Sequence, residues 1–184
     1  MLGAEPLKNS EAKATMMALR LVEVLTQSGH TLVLAESCTA GLVSDLVARV
    51  SGASAVLWGS FVCYSPKAKE LMLDLDGGLI ARHGLVSREV AGEMAVRALR
   101  KAGASFSAAV TGLAGPLGDG GAMPVGTVWM SFAVWDKPVA GEESKAVLAM
   151  ERKICFQGSR AEVRMQAAAL TLEELLALAV RAVD

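Results

Sequence analysis

The chain has 184 residues, a net charge of −1, 53% hydrophobic residues and only 4% aromatics. That length fits one domain able to bury a core without metal or disulfide staples, and the scarcity of aromatics predicts small side chains packed closely between helices and a sheet. A near-zero charge excludes a global field drawing the chain to nucleic acid or to a membrane surface, no apolar run reaches membrane-spanning length, and Cys38, Cys63 and Cys155 stand in no disulfide or metal-ligand spacing.

The first nine residues read as a flexible tail, and residues 10–184 as a single domain. A helix is predicted over 10–27, stopped by Gly29. Residues 32–35 are an unbroken apolar run suited to a buried parallel strand. Small polar residues follow at once, and then the helix-spaced Leu42, Val43, Leu46, Val47 and Val50. Strand, tight turn and helix is the expected local structure, with Ser37 or Thr39 as helix cap. Gly52-Ala53-Ser54 breaks the pattern before a strand over 55–64, and Pro66 opens a short helix over 67–75. Asp76-Gly77-Gly78 reads as a turn and 79–84 as a connector carrying His83. Ser87 caps a helix over 88–101 that Gly103 ends. A strand over 106–110 then runs into 111–121, a loop with five glycines. Strands over 126–134 and 146–156 pair through a polar turn region at 136–144, and Ser159 with Glu162 forms a capping box for a helix over 160–180. Strands that first alternate with helices and then form a hairpin predict an α/β fold, a three-layer α/β/α sandwich with a mixed sheet. Cys63 and Cys155 lie in apolar runs and read as inert core thiols. With no signal-peptide pattern at the N-terminus, the expected location is cytoplasmic.

Three loops follow predicted strands: 36–41, 64–69 and 111–121. In parallel strands they meet at one edge of the sheet, where open α/β folds place ligands. A serine such as Ser37 attacks only if a base removes its proton. His30 precedes its strand and falls at the wrong end, and His83 lies in a connector. Lys69 is the other candidate, and a lysine of ordinary pKa near 10.4 is neutral at pH 7 only about once in a few thousand molecules, so the role demands desolvation. Tyr64 can relay the proton or hold the amine. By residue type alone, Lys69 reads as an ordinary solvated helix lysine and Tyr64 as an ordinary strand-end residue. Arg160 and Arg164 lie one turn apart at a helix start, where the dipole disfavours cations unless an anion compensates; solvation or pairing with Glu162 would also serve.

Five motifs in order resemble the C-terminal domain family of the competence/damage-inducible protein CinA, whose stand-alone members are nicotinamide-nucleotide amidases. They are Ala35-Glu36-Ser37-Cys38-Thr39-Ala40-Gly41; Phe61-Val62-Cys63-Tyr64-Ser65 with Lys69; Val110-Thr111-Gly112-Leu113-Ala114-Gly115-Pro116; Pro124-Val125-Gly126-Thr127-Val128; and Phe156-Gln157-Gly158-Ser159-Arg160 with Arg164. The likeness runs from about residue 30 to 178. It implies the α/β/α sandwich and hydrolysis of the carboxamide of nicotinamide mononucleotide to nicotinate mononucleotide and ammonia, without metal or other cofactor. It carries the family's nucleophile to Ser37, its tyrosine to Tyr64 and its catalytic lysine to Lys69. Binding positions fall on Ser54, Thr111, Gly112 and Arg160 or Arg164, with Cys38, Thr39 and Gly41 in the same turn as the nucleophile. The expected partner is a small nucleotide, with neither nucleic acid nor membrane, and the chain is expected to form a homo-oligomer. The nucleotide-binding domain that precedes this one in longer CinA proteins is expected to be missing. Ala40 stands where the family usually has glycine, so a left-handed backbone there would be strained. Met123 replaces a frequent lysine, and Asp119 adds a negative charge to the Gly-rich loop; both weaken the case for phosphate there. A non-catalytic nucleotide-binding or regulatory module of the same fold is the alternative.

Overall fold

The computed structural model describes residues 4–118, 120–136 and 143–183. Helix α1 spans Ala4–Ser28 and leads into strand β1, Leu32–Glu36. Helix α2 follows at Leu42–Ala48, then a single 3₁₀ turn at Ala53–Ala55 and strand β2 at Leu57–Val62. Helices α3 (Pro66–Leu73), α4 (Gly77–His83) and α5 (Arg88–Ala102) precede strand β3, Phe106–Gly112. Strands β4 (Thr127–Trp135) and β5 (Ala146–Cys155) form the hairpin, and helix α6 (Arg160–Val183) closes the chain.

The sheet runs β2-β1-β3-β4-β5, with β1 parallel to both neighbours and β3, β4 and β5 antiparallel in turn. It is the mixed sheet of an α/β/α sandwich. Every residue of β1 is buried, and alternate side chains serve opposite layers. Leu32 and Leu34 join the core beneath α1, α2 and α6, together with Phe106, Ala108 and Val110 of β3. Val33 and Ala35 face Val90, Met94, Ala98 and Leu99 of α5. Both helical layers therefore grip the strand that leads into Ser37.

Several local expectations need correction. Helix α1 takes in residues 4–9, read above as tail, while residues 1–3 lie outside the described residues. Pro6 falls in its first turn, where a missing N–H costs nothing, and Leu7 packs against the core. Gly77-Gly78 opens α4 instead of a turn, because Asp76 Oδ1 accepts the Gly78 N–H at 2.9 Å. Strand β3 runs on to include Thr111 and Gly112, so the Gly-rich loop starts at Leu113. Cys155 is exposed on the edge strand β5, whereas Cys63 is buried as expected. The hairpin turn is closed by the Asp136 N–H donating to Lys145 O at 2.9 Å; its residues 137–142 lie outside the described residues, as does Asp119 of the Gly-rich loop.

Candidate active site

Strands β1, β2 and β3 end side by side, and two bonds carry the ladder one step beyond them: the Ser37 N–H donates to Val110 O and the Cys63 N–H to Glu36 O, each at 2.9 Å. Ser37 is thereby fixed at the end of the central parallel strand, only 8% exposed. Neither Ser37 nor Thr39 caps α2. Its N-cap is Gly41, left-handed at φ +89°, and the first amides go instead to the Glu36 carboxylate, with Val43 N–H to Oε2 at 3.1 Å and Ser44 N–H to Oε1 at 2.9 Å. Ala40, just before, has φ +51°. An exposed alanine here holds the left-handed conformation that glycine adopts freely.

The next parallel crossover delivers Lys69. Ser65 caps α3 by accepting the Ala68 N–H at 3.1 Å, with Pro66 in the first turn. One turn in, Lys69 points beneath Ser37 and is fully buried. Its Nζ lies 2.7 Å from Ser37 Oγ and donates to Cys63 O, also at 2.7 Å. Burial lowers its pKa from the ordinary lysine value of 10.5. The thiols beside it offer no counter-charge, because burial pushes Cys38 up to about 12 and raises Cys63 as well. Both are protonated near neutral pH.

A cleft of about 220 Å³ lies over the pair. Tyr64 and Arg160 stand on its wall, with Leu85 and Val86 from the α4–α5 connector and residues 111–114 of β3 and the loop after it. Gly112 is required there, because a Cβ would come within 2.7 Å of Thr127 O. Thr111 Oγ1 donates to Leu85 O at 2.9 Å and so holds the connector against the cleft. Arg160 donates from Nη1 to Gly115 O at 2.8 Å and from Nη2 to Tyr64 Oη at 2.6 Å. The Tyr64 hydroxyl thus meets Arg160 at the rim, not the Lys69 amine.

The remaining candidates fall elsewhere. Arg164 turns its guanidinium onto the turn after Ser37, Nε to Cys38 O at 3.2 Å and Nη2 to Thr39 O at 2.6 Å, and is not part of the cleft lining. Thr39 is fully buried and, like Gly41, lies outside the lining. Ser54 is exposed just before β2, a strand's length from Ser37 at the opposite sheet edge. His83 sits 3.6 Å from Glu89 on the surface. A larger hollow of about 440 Å³ opens at that opposite edge between His30, Trp135 and the end of α6. There Ser105 Oγ accepts the Thr31 N–H, and His30 Nδ1 bonds to nothing among the described residues, so the two form no nucleophile–base pair.

A family model described as the CinA C-terminal domain matches residues 14–179. The chain belongs to that family. It is 36% identical over 166 residues to the Escherichia coli K12 nicotinamide-nucleotide amidohydrolase PncC, covering 90% of this chain and 94% of that protein. A CinA-like protein of Anaeromyxobacter dehalogenans is 41% identical over 161 residues, 88% of this chain but 36% of the longer relative. Among solved structures, a CinA-superfamily protein from Klebsiella pneumoniae superposes with TM-score 0.81 at 26% identity, covering 91% of this chain and 98% of that one. The competence/damage-inducible protein CihA of Agrobacterium tumefaciens gives 0.78 at 32%, covering 90% and 95%. Within the CinA fold, the residues missed by sequence reasoning include Glu36, Leu85 and Val86. An acidic residue ending an otherwise apolar buried strand was a visible signal for the first. Nothing local marks the other two.

Proposed function

We propose that the chain is an amidohydrolase converting nicotinamide mononucleotide to nicotinate mononucleotide and ammonia by serine–lysine catalysis, in pyridine-nucleotide salvage. The observation that carries this reading is the fully buried Lys69 amine 2.7 Å from Ser37 Oγ, its pKa lowered by burial and its amine paired with no carboxylate among the described residues. In the neutral form one N–H donates to Cys63 O and the lone pair faces the serine proton. Oγ attacks the carboxamide carbon as its proton passes to Nζ. The resulting ammonium then protonates the departing nitrogen, which leaves as ammonia. Water attacks the acyl-enzyme with Nζ again as base, releasing the carboxylate and restoring the serine.

The developing oxyanion suits the backbone amides of Cys38 and Gly112. The Leu113 N–H donates to Thr127 O at 2.8 Å, so Leu113 pairs with β4. Alternation along the antiparallel ladder then turns the Gly112 N–H toward β1 and the serine. Size supports a ring-first pose. A cavity of about 150 Å³ holds benzene, so the 220 Å³ cleft accepts the pyridine ring and its carboxamide and leaves ribose and phosphate at the rim. Arg160 stands there with two of its five N–H donors engaged among the described residues, and we assign the phosphate to it. Ser54 would meet substrate only in the cleft of a second copy, which ties its expected role to the expected homo-oligomer.

The test is turnover of nicotinamide mononucleotide in the presence of a chelator. Ammonia and nicotinate mononucleotide should appear in equal amounts, and Ser37→Ala should lower kcat about 10³-fold or more. Free nicotinamide would mean glycosidic cleavage, and binding without turnover would mean a binding module; either result overturns the proposal.

A further inference from the structure

The turn carrying the proposed nucleophile is held from two sides by residues that do not line the cleft. On the amide side, the fully buried Glu36 carboxylate accepts the Val43 and Ser44 N–H groups, and Oε1 also accepts the Ser60 hydroxyl at 3.3 Å. On the carbonyl side, the part-buried Arg164 guanidinium reaches across from α6 and takes Cys38 O and Thr39 O. Between these holds the chain makes two successive left-handed residues, Ala40 and Gly41. Its own bonds there include the Ala40 N–H to Ser37 O at 3.1 Å and the Leu42 N–H to Thr39 O at 3.2 Å, and Gly41 O accepts the Ser44 hydroxyl and the Asp45 N–H, each at 2.9 Å. An alanine in this conformation is unfavourable by itself, so the surroundings must impose it.

We infer that Glu36 and Arg164 are positioning residues forming a two-sided clamp that sets the Ser37 hydroxyl against the Lys69 amine. The inference rests on the serine–lysine reading above and gives Arg164 a role different from substrate binding. The two side chains come from β1 and α6 and bond to different groups of the turn, so each removes a different freedom. Glu36 fixes where α2 starts, and Arg164 fixes the two peptide planes after Ser37. Misplacing a reacting atom by about 1 Å can cost about 10²-fold in rate. The effect of either residue therefore falls on reactivity, with the substrate's wall left in place.

Two readouts test this on the full chain: kcat and KM for nicotinamide mononucleotide, and the rate at which a fluorophosphonate labels Ser37, located by peptide mass spectrometry. In labelling, the Oγ–P bond forms, the P–F bond breaks with loss of fluoride, and the hydroxyl proton passes to Lys69; no nucleotide recognition is involved. Glu36→Gln keeps the shape but presents an amide NH₂ to backbone N–H groups. It should lower kcat and the labelling rate together by about 10- to 100-fold, with KM within about threefold. Arg164→Lys can bond one carbonyl at a time and should retain about tenfold more of both rates than Arg164→Ala. Should Arg164→Ala fail to fold, Arg164→Lys against wild type decides the point by the same parallel fall. A raised KM with unchanged labelling would make Arg164 a substrate contact and overturn the clamp. Unchanged kcat and labelling in folded variants would overturn it too, with the serine–lysine reading intact. Wild-type protein that the probe does not label at Ser37 would overturn that reading and this inference together.

Discussion

Replacing Ala40 by glycine should make the protein more stable, although it deletes a methyl group. Ala40 holds φ +51° beside Gly41 at +89°, and its side chain is exposed, so little burial is lost with the methyl. A left-handed alanine costs about 1–2 kcal/mol. Glycine avoids that cost but gives the unfolded chain more freedom, which takes back about 0.4–1 kcal/mol. The balance is a gain of about 0.5–1 kcal/mol, or about 1–4 °C in Tm for a chain of this size. Equilibrium denaturation of wild type and Ala40→Gly, compared at equal m-value, measures it directly, with Tm as a second reading. A loss of stability, or no change beyond error, would refute the reasoning, because it would mean that residue 40 is not strained in the native turn.

Lys69 governs a pH dependence of stability as well as of rate. Its native pKa lies below the ordinary value of 10.5, so between the two the unfolded chain holds more protons than the native one. Stability from this group therefore rises with pH through that window and is lost as the pH falls through the native pKa, where a buried charge must be carried. Lys69→Met should abolish turnover yet flatten that slope and stabilise the protein on the acid side; a slope unchanged in urea titrations across pH would refute the assignment. The thiols give a chemical test. Iodoacetamide at mildly alkaline pH should modify exposed Cys155 first and spare Cys38, whose pKa is pushed up to about 12, and early carboxamidomethylation of Cys38 would contradict its burial.

What the sequence made legible was whatever short-range pattern controls. An unbroken apolar run followed by a helical period placed β1, the turn and α2 within a residue or two, and Ser159 with Glu162 marked the start of α6, where Glu162 Oε2 accepts the Ser159 N–H at 2.7 Å. The cap of α2 was not legible, because capping rules look three residues back and the group used here is the Glu36 carboxylate, seven residues before Val43. The two arginines of α6 were indistinguishable for a similar reason. They share a helix face, and only the path of α6 across the sheet edge puts Arg160 over the cleft and Arg164 over the turn. Tyr64 illustrates the same limit, since its partner Arg160 lies 96 positions away in the chain. Ser54 was assigned through family likeness, and the parallel register of β2 carries it to the far edge.

The order of the strands separates two jobs along the chain. Ser37, its carboxylate brace Glu36 and Lys69 all come from one stretch, β1 through α3, whereas most of the cleft wall comes from the α4–α5 connector, the end of β3 and the start of α6. On the serine–lysine reading, reactivity and recognition are in this sense written in different stretches of the gene, joined by the β1–β3 ladder, the Tyr64–Arg160 bond and the Arg164 contacts. Selection can therefore redraw the wall at Leu85, Val86, Leu113 and Ala114 to admit a different amide while Gly112 and the pair beneath it stay as they are. A library confined to those wall positions, screened against amides of varied ring size, would search specificity without first having to rebuild a nucleophile.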